Sequence, residues 1–128
     1  MLIQIVDDSP NMRETIKSVL GGLNADFIES SDGDDAVREY TLHKPDLVIM
    51  DIRMERMDGI AATRAIRRTS PDARVVIMTQ YDNDDLRGEA LQAGAAGYFL
   101  KDDLSKLVPL VDGITKVNSS HNHSPHQP

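Results

Sequence analysis

Five polar residues of this 128-residue sequence directly follow short apolar runs, and their chemistry suits phosphoryl transfer. They are the carboxylates Asp7, Asp8 and Asp51, the hydroxyl of Thr79 and the ammonium of Lys101. Three converging carboxylates would repel one another, so the set implies a bound divalent cation. Ligands that are all oxygen indicate Mg²⁺ rather than zinc. A hydroxyl and an ammonium beside that cation could hold phosphoryl oxygens while a carboxylate accepts the group.

These residues converge only if the apolar runs form parallel strands. Four consecutive apolar residues lie between Asp46 and Asp51, preceded by Pro45. A run of this length is too short for a globular helix and is typical of a strand buried on both faces. Five apolar runs alternate with five helical patterns, which predicts an α/β fold with a doubly wound parallel sheet. The carboxyl ends of the strands then share one edge, where ligands bind in such sheets.

Three segments are predicted to be less regular. Gly88 lies inside the fourth helical pattern and costs about 1 kcal/mol relative to alanine, so we expect this helix to be the least stable. Pro109 lies within the fifth pattern, where an interior proline costs about 3 kcal/mol or more, so that helix either kinks or begins late. We predict one domain over residues 1–117 and a disordered tail or linker remnant over residues 118–128, which are rich in Ser, Asn, His and Pro.

The composition excludes several classes of protein. A hydrophobic fraction of 40% with 27% charged residues is typical of a soluble globular protein. The net charge of −7 argues against direct binding to a nucleic-acid backbone. No apolar run is long enough to span a membrane, and no secretory signal is visible. There are no cysteines, hence no disulfides. We expect a cytoplasmic protein.

Over almost its whole length, from Leu2 to about Val117, the chain resembles the receiver domain of two-component response regulators. The resemblance rests on residues at strand ends and in the loops that follow them. The matching residues are Asp7-Asp8, Asp51, Met54, Met57-Asp58-Gly59, Thr79 and Gly94-Ala95-Ala96-Gly97-Tyr98-Phe99-Leu100-Lys101. The resemblance implies a flavodoxin-like sheet with strand order 2-1-3-4-5.

The resemblance also implies roles for the polar residues. Asp51 is the expected phosphoacceptor. Asp8 and Asp51 are expected to bind Mg²⁺ together with the backbone carbonyl of Arg53, while Asp7 assists through a water molecule. Lys101 is expected to pair first with the acceptor carboxylate and then with the phosphoryl group.

A conformational switch is part of the same expectation. Thr79 is expected to move inward to hydrogen-bond a phosphoryl oxygen, and Tyr98 to follow into the vacated space. The fourth helix, fifth strand and fifth helix would then change their shared face. The implied partners are a sensor histidine kinase and either a downstream protein or a DNA-binding output domain that is missing here, with a dimer linked to phosphorylation.

The chain departs from the family pattern around the acceptor. Glu55 stands where proline is usual, so we expect a looser loop. Asp102 follows the lysine where proline is frequent, which leaves the isomer of the Lys101–Asp102 bond open. Arg53 and Tyr81 are large residues at positions that gate water in the family, and we expect them to slow hydrolysis of the acyl phosphate.

Two other functions stay open at this point. Haloacid-dehalogenase-type phosphatases also use a strand-end Asp, Mg²⁺, a Thr and a Lys. Their second Asp lies two residues after the nucleophile, where this chain has Arg53, and their nucleophile follows the first strand. A receiver-shaped interaction module that is never phosphorylated is the other alternative. The complete set of strand-end residues argues against it, and Glu55 argues weakly for it. We therefore expect a phosphoacceptor that is not an enzyme with turnover of its own.

Overall fold

A computed structural model describes residues 1–114 of the chain. It contains five parallel strands, which are β1 (Leu2–Val6), β2 (Asp26–Ser30), β3 (Leu47–Met50), β4 (Val75–Thr79) and β5 (Gly97–Leu100). The α-helices are α1 (Pro10–Val19), α2 (Gly33–His43), α3 (Gly59–Thr69), α4 (Asp84–Gln92) and α5 (residues 107–114, to the end of the described chain). The predicted boundary at residue 117 and the predicted tail lie outside the described residues.

The strands form one sheet in the order β2-β1-β3-β4-β5, which confirms the predicted fold and strand order. β3 lies at the centre of the sheet, and all four of its residues are buried. Leu47 and Ile49 face a core with α1 and α5, whereas Val48 and Met50 face a second core with α2, α3 and α4. Because successive strand residues point to opposite faces, an uninterrupted apolar run is what a strand covered on both faces requires.

Local sequence signals explain where the helices begin. The Ser9 side chain accepts a hydrogen bond from the Met12 N–H, and Pro10 occupies the first turn of α1. Asp58 and Asn83 cap α3 and α4 in the same way. Such caps satisfy N–H groups that have no partner within the helix. The three caps therefore set where the helices begin after β1, β3 and β4.

The last part of the described chain resolves the alternatives for Pro109. A 3₁₀ helix, Lys101–Lys106, follows β5, and α5 begins only after it. Pro109 then lies in the first turn of α5, where a missing N–H leaves no hydrogen bond unmade. Of the two alternatives predicted for this pattern, the helix begins late, and the chain also kinks at Asp103 just before it. Within residues 1–114 there is no cis peptide bond, so Lys101–Asp102 is trans.

The helices differ in how firmly they pack on the sheet. α3 buries five residues, whereas α4 buries only Ala90 and contains Gly88 in its interior. Few buried apolar contacts are typical of segments that open locally at low free energy. The low stability predicted for α4 stays a prediction, and its sparse packing supports it. In the described part of the chain, no helix has the length and hydrophobicity needed to cross a membrane.

Candidate functional site

The carboxyl ends of β1 and β3 bring three carboxylates together. Asp7, Asp8 and Asp51 each offer a carboxylate oxygen, and these oxygens lie within 4.8 Å of one another. Asp7 and Asp51 are buried and Asp8 is exposed. The adjacent parallel strands β1 and β3 impose this arrangement, since the Asp51 N–H donates to the Val6 carbonyl at 2.9 Å. The predicted acidic cluster is therefore present, with two buried carboxylates and one that is exposed to solvent.

Lys101 reaches the cluster from the end of β5. Its Nζ lies 2.8 Å from Asp7 Oδ2 and 3.2 Å from Asp51 Oδ1. The remaining oxygen of Asp7 accepts from the Ser9 N–H at 2.9 Å, and Asp51 Oδ1 also accepts from the Ile52 N–H at 2.9 Å. Both buried carboxylates are thus held by an ammonium and by the backbone.

Burial and charge perturb the ionisation of these groups. Burial, followed by the repulsion of Asp7, raises the pKa of Asp51 to about 6 even though Lys101 acts in the opposite direction. Burial alone would lower the pKa of Lys101, but its contacts with Asp7 and Asp51 hold that pKa above the usual value. One ammonium therefore compensates three carboxylates only in part.

The residues present fit a divalent cation. Their donors are all oxygens, as Mg²⁺ prefers, and three carboxylates share the single nearby ammonium of Lys101. Arg53 lines the same cleft, two residues after Asp51. The use of its backbone carbonyl as a ligand stays a prediction.

The cleft above the cluster has a volume of about 330 Å³. Its walls contain every predicted acidic residue, Lys101, and both residues expected to gate water. The lining residues are Asp7, Asp8, Ser9, Met12, Asp51, Arg53, Gln80, Tyr81 and Lys101. Ser9, Met12 and Gln80 were not predicted as cleft residues, although each lies within four residues of a predicted one.

Arg53 and Tyr81 meet over this cleft. The Arg53 guanidinium carbon lies 4.8 Å from the centre of the Tyr81 ring, within the range of a cation–π contact. The Tyr81 N–H donates to Thr79 Oγ1 at 3.2 Å. A side chain from the β3–α3 loop therefore stacks on one from the β4–α4 loop, a contact that spacing along the sequence could not reveal.

Thr79 and Tyr98 are joined through the same loop. Thr79 is fully buried and is not among the residues that line the cleft in the described chain. The Tyr98 hydroxyl donates to the Tyr81 carbonyl at 2.6 Å, and the Arg87 guanidinium lies 4.6 Å from the centre of the Tyr98 ring. In this structure Tyr98 is already buried, and Thr79 bonds the loop. Their movement stays a prediction.

Comparison with known proteins identifies the family. Residues 3–112 match the family described as the response regulator receiver domain. The transcriptional regulatory protein DegU of Brevibacillus brevis is 33% identical over 118 residues, which cover 89% of this chain and 50% of DegU. The chemotaxis protein CheY of Bacillus subtilis is 38% identical over 100 residues, which cover 77% of this chain and 83% of CheY. The chain thus spans about half the length of a transcriptional relative and most of CheY.

Solved structures agree with the sequence comparison. A LuxR-family two-component response regulator from Aurantimonas has a TM-score of 0.83 at 34% identity, with 88% of this chain and 83% of that chain covered. The CheX–CheY–BeF₃–Mg²⁺ complex of Borrelia burgdorferi has a TM-score of 0.83 at 28% identity, with 90% and 89% covered. This protein belongs to the receiver domain family of two-component response regulators.

Proposed function

We propose that the chain is a Mg²⁺-dependent phosphoacceptor that receives a phosphoryl group on Asp51 from a sensor histidine kinase or a small phosphodonor. The observation that carries the proposal is the position of Asp51. Its buried carboxylate lies 3.2 Å from the Lys101 ammonium and beside two further carboxylates in an open cleft. A nucleophile, an ammonium for the incoming oxygens and a group of carboxylate oxygens of the kind that Mg²⁺ prefers therefore lie together, which supports the proposal.

The transfer follows from these positions. An ionised oxygen of Asp51 attacks phosphorus, a new P–O bond forms, and the bond to the donor atom breaks with its electron pair leaving on the donor. Lys101 exchanges part of its contact with Asp51 for a phosphoryl oxygen. Asp8 and Asp51, with the Arg53 carbonyl and a water held by Asp7, would bind Mg²⁺. When bound, this ion would neutralise negative charge on the phosphoryl group and orient it.

The switch uses the contacts of the β4–α4 loop. Thr79 accepts from the Tyr81 N–H, and Tyr98 donates to the Tyr81 carbonyl. Movement of Thr79 towards a phosphoryl oxygen would break the first of these bonds and allow the loop to shift with Tyr98. α4, which packs sparsely, would follow, so the α4–β5–α5 face changes.

The proposed partners follow from this role. They are the kinase that donates the group and a downstream protein or a DNA-binding output domain that reads the switched face, with dimerisation linked to phosphorylation. The domain itself binds neither nucleic acid nor membrane, and it acts in the cytoplasm. Its chemistry is self-phosphorylation and slow autodephosphorylation, without multiple turnover.

Intact mass after incubation with Mg²⁺ and acetyl phosphate tests the proposal. The wild type should gain one labile phosphoryl group, and both Asp51→Ala and wild type with a chelator should gain none. No adduct on the wild type would overturn phosphoacceptance and favour an interaction module. Steady release of phosphate from an added phosphomonoester would instead favour a haloacid-dehalogenase-type phosphatase.

A further inference from the structure

The loop that follows Asp51 is docked onto the N-terminus of α2, away from the cleft itself. The Gly33 N–H donates to the Arg56 carbonyl at 2.9 Å. A Cβ atom on Gly33 would lie 2.0 Å from the Met57 carbonyl oxygen, closer than real Cβ contacts allow. The two backbones therefore touch at this point, with no room for a side chain between them.

An ion pair closes the same junction. Nε and Nη2 of Arg56 lie 3.2 and 2.7 Å from one carboxylate oxygen of Asp32. The other oxygen of Asp32 caps α2 by accepting from the Asp35 N–H at 2.8 Å. The hydrogen bond from the Asp35 N–H is the main cause of a lowered pKa of Asp32. Burial opposes this effect, and Arg56 adds to it.

Most surface ion pairs contribute little, because both side chains must be ordered. Here the Asp32 side chain is only 9% exposed, and the helix cap already orders it. Only Arg56 must therefore be ordered to form the pair. Since Arg56 also accepts the Gly33 hydrogen bond through its own carbonyl, the pair fixes side chain and backbone of one loop residue together.

We propose that Asp32 and Arg56 are positioning residues that hold the β3–α3 loop in the conformation that binds Mg²⁺. This inference rests on the proposed function, because it assigns the pair a role at the proposed metal site. The two ends of the loop are joined by the Gly59 N–H, which donates to the Ile52 carbonyl at 2.8 Å. Arg53 lies between Ile52 and Arg56, so both anchors limit the movement of its carbonyl.

The Asp32–Arg56 ion pair should therefore control the affinity of the protein for Mg²⁺. Mg²⁺ requires nearly ideal octahedral geometry. Increased mobility of the β3–α3 loop, which carries the proposed Arg53 carbonyl ligand, should therefore weaken Mg²⁺ binding. Simple electrostatics predicts the opposite effect for Arg56, because removal of a positive charge near a cation site strengthens cation binding. The two explanations therefore differ in sign.

The experiment is a calorimetric titration of the full chain with MgCl₂ for wild type, Arg56→Gln, Asp32→Asn and the double variant. Asparagine caps helices about as well as aspartate, so Asp32→Asn tests the pair while keeping the cap. Arg38→Gln is the matched control, because Arg38 is an exposed arginine of α2 paired with Asp35 and its loss changes net charge equally. We expect Arg56→Gln to weaken Mg²⁺ binding by roughly 10-fold, the lower end of the range for residues that orient metal ligands.

Two further readouts separate positioning from folding. Arg56→Gln should change Mg²⁺ affinity much less in the Asp32→Asn background than in the wild type, as expected when two residues act through one contact. Amide exchange should accelerate in residues 52–57 while β1 and β3 keep their protection. The thermal midpoint should hardly change, because the Arg56 side chain is 70% exposed.

Unchanged or tighter Mg²⁺ binding by Arg56→Gln would overturn the positioning role of the ion pair. An equal loss of Mg²⁺ affinity in Arg38→Gln would do the same. A full effect of Arg56→Gln in the Asp32→Asn background would overturn the pairing. A wild type that binds no Mg²⁺ would be a separate result. It would contradict the proposed function itself and, with it, this role for the pair.

Discussion

The two loops that border the cleft are held in different ways. The β3–α3 loop is anchored chiefly by backbone packing, since Gly59 and Gly33 lie against main-chain atoms of Asp51 and Met57, and the Asp32–Arg56 ion pair adds to this anchor. The β4–α4 loop, residues 80–83, is held through Tyr81, which bonds Thr79 and Tyr98 and stacks under Arg53. Side-chain contacts can be exchanged for others, whereas a close backbone approach can only be kept or lost. The comparison indicates that the β3–α3 loop is the more firmly anchored of the two, as the proposed metal site requires, and that the β4–α4 loop is the easier to rearrange, as the proposed switch requires.

The largest effect is expected when the backbone contacts of the β3–α3 loop are disrupted. A Cβ atom on Gly59 would lie 1.8 Å from the Asp51 carbonyl oxygen. Gly59→Ala should therefore lower the free energy of unfolding by about 3 kcal/mol or more, at the upper end for overpacking substitutions. Urea denaturation measures the change. A variant as stable as the wild type would show that the loop yields easily and that the contrast with the second loop is false.

The next largest effect is expected from the buried carboxylate of Asp51, which directly precedes the β3–α3 loop. Burial and then Asp7 raise the pKa of Asp51 from 3.8 to about 6. Because the folded state binds this proton more tightly, the stabilisation by protonation is complete below about pH 4 and is lost as the pH rises through about 6. In metal-free buffer, Asp51→Asn should therefore raise the free energy of unfolding at pH 7.5 by on the order of 2 kcal/mol.

The control for that prediction is the same comparison at pH 4, where the gain from Asp51→Asn should largely disappear. Urea denaturation at both pH values, with a chelator present, provides the four free energies. A stability difference that does not depend on pH would contradict a raised pKa and point to a change in packing.

A smaller effect on stability is expected in α4, the helix that follows the β4–α4 loop. A Cβ atom on Gly88 meets no heavy atom within 4 Å. Gly88→Ala should raise the free energy of unfolding by about 1 kcal/mol through helix propensity alone. Amide exchange in α4 should slow by more than exchange in β3, because α4 buries only Ala90. Equal slowing in both elements would show that α4 does not open separately from the sheet.

The smallest effect on stability is expected where the two loops meet. A cation–π contact at an exposed site contributes about 0.5–1 kcal/mol, so Arg53→Asn and Tyr81→Ala should change folding little. Both should nevertheless speed hydrolysis of phosphorylated Asp51 severalfold by admitting water. Phosphate release after removal of the donor measures the rate. If both variants decay at the wild-type rate, the stacked pair does not shield the acyl phosphate.

Much of the fold and of the acidic cluster was predictable because the signals are local. An unbroken apolar run such as Leu47–Met50 indicates a strand covered on both faces, and a polar residue just after it must lie at the sheet edge. Capping residues such as Ser9 mark helix starts within one turn. Asp7, Asp51 and Lys101 therefore reach one sheet edge for reasons that can be read along the chain, whereas the strand order that brings them close together was implied by the family resemblance.

Tertiary structure alone decided how the loops dock on one another. Asp32 and Arg56 are 24 residues apart, and no periodicity relates them. The stacking of Arg53 on Tyr81 and the hydrogen bond from the Tyr98 hydroxyl to the Tyr81 carbonyl likewise depend on where whole loops lie. Strand and helix periods act over a few residues, so the local sequence was enough to predict which elements form and which residues reach the shared edge. The orientation of side chains across that edge was decided by packing between distant segments, which local periods do not encode.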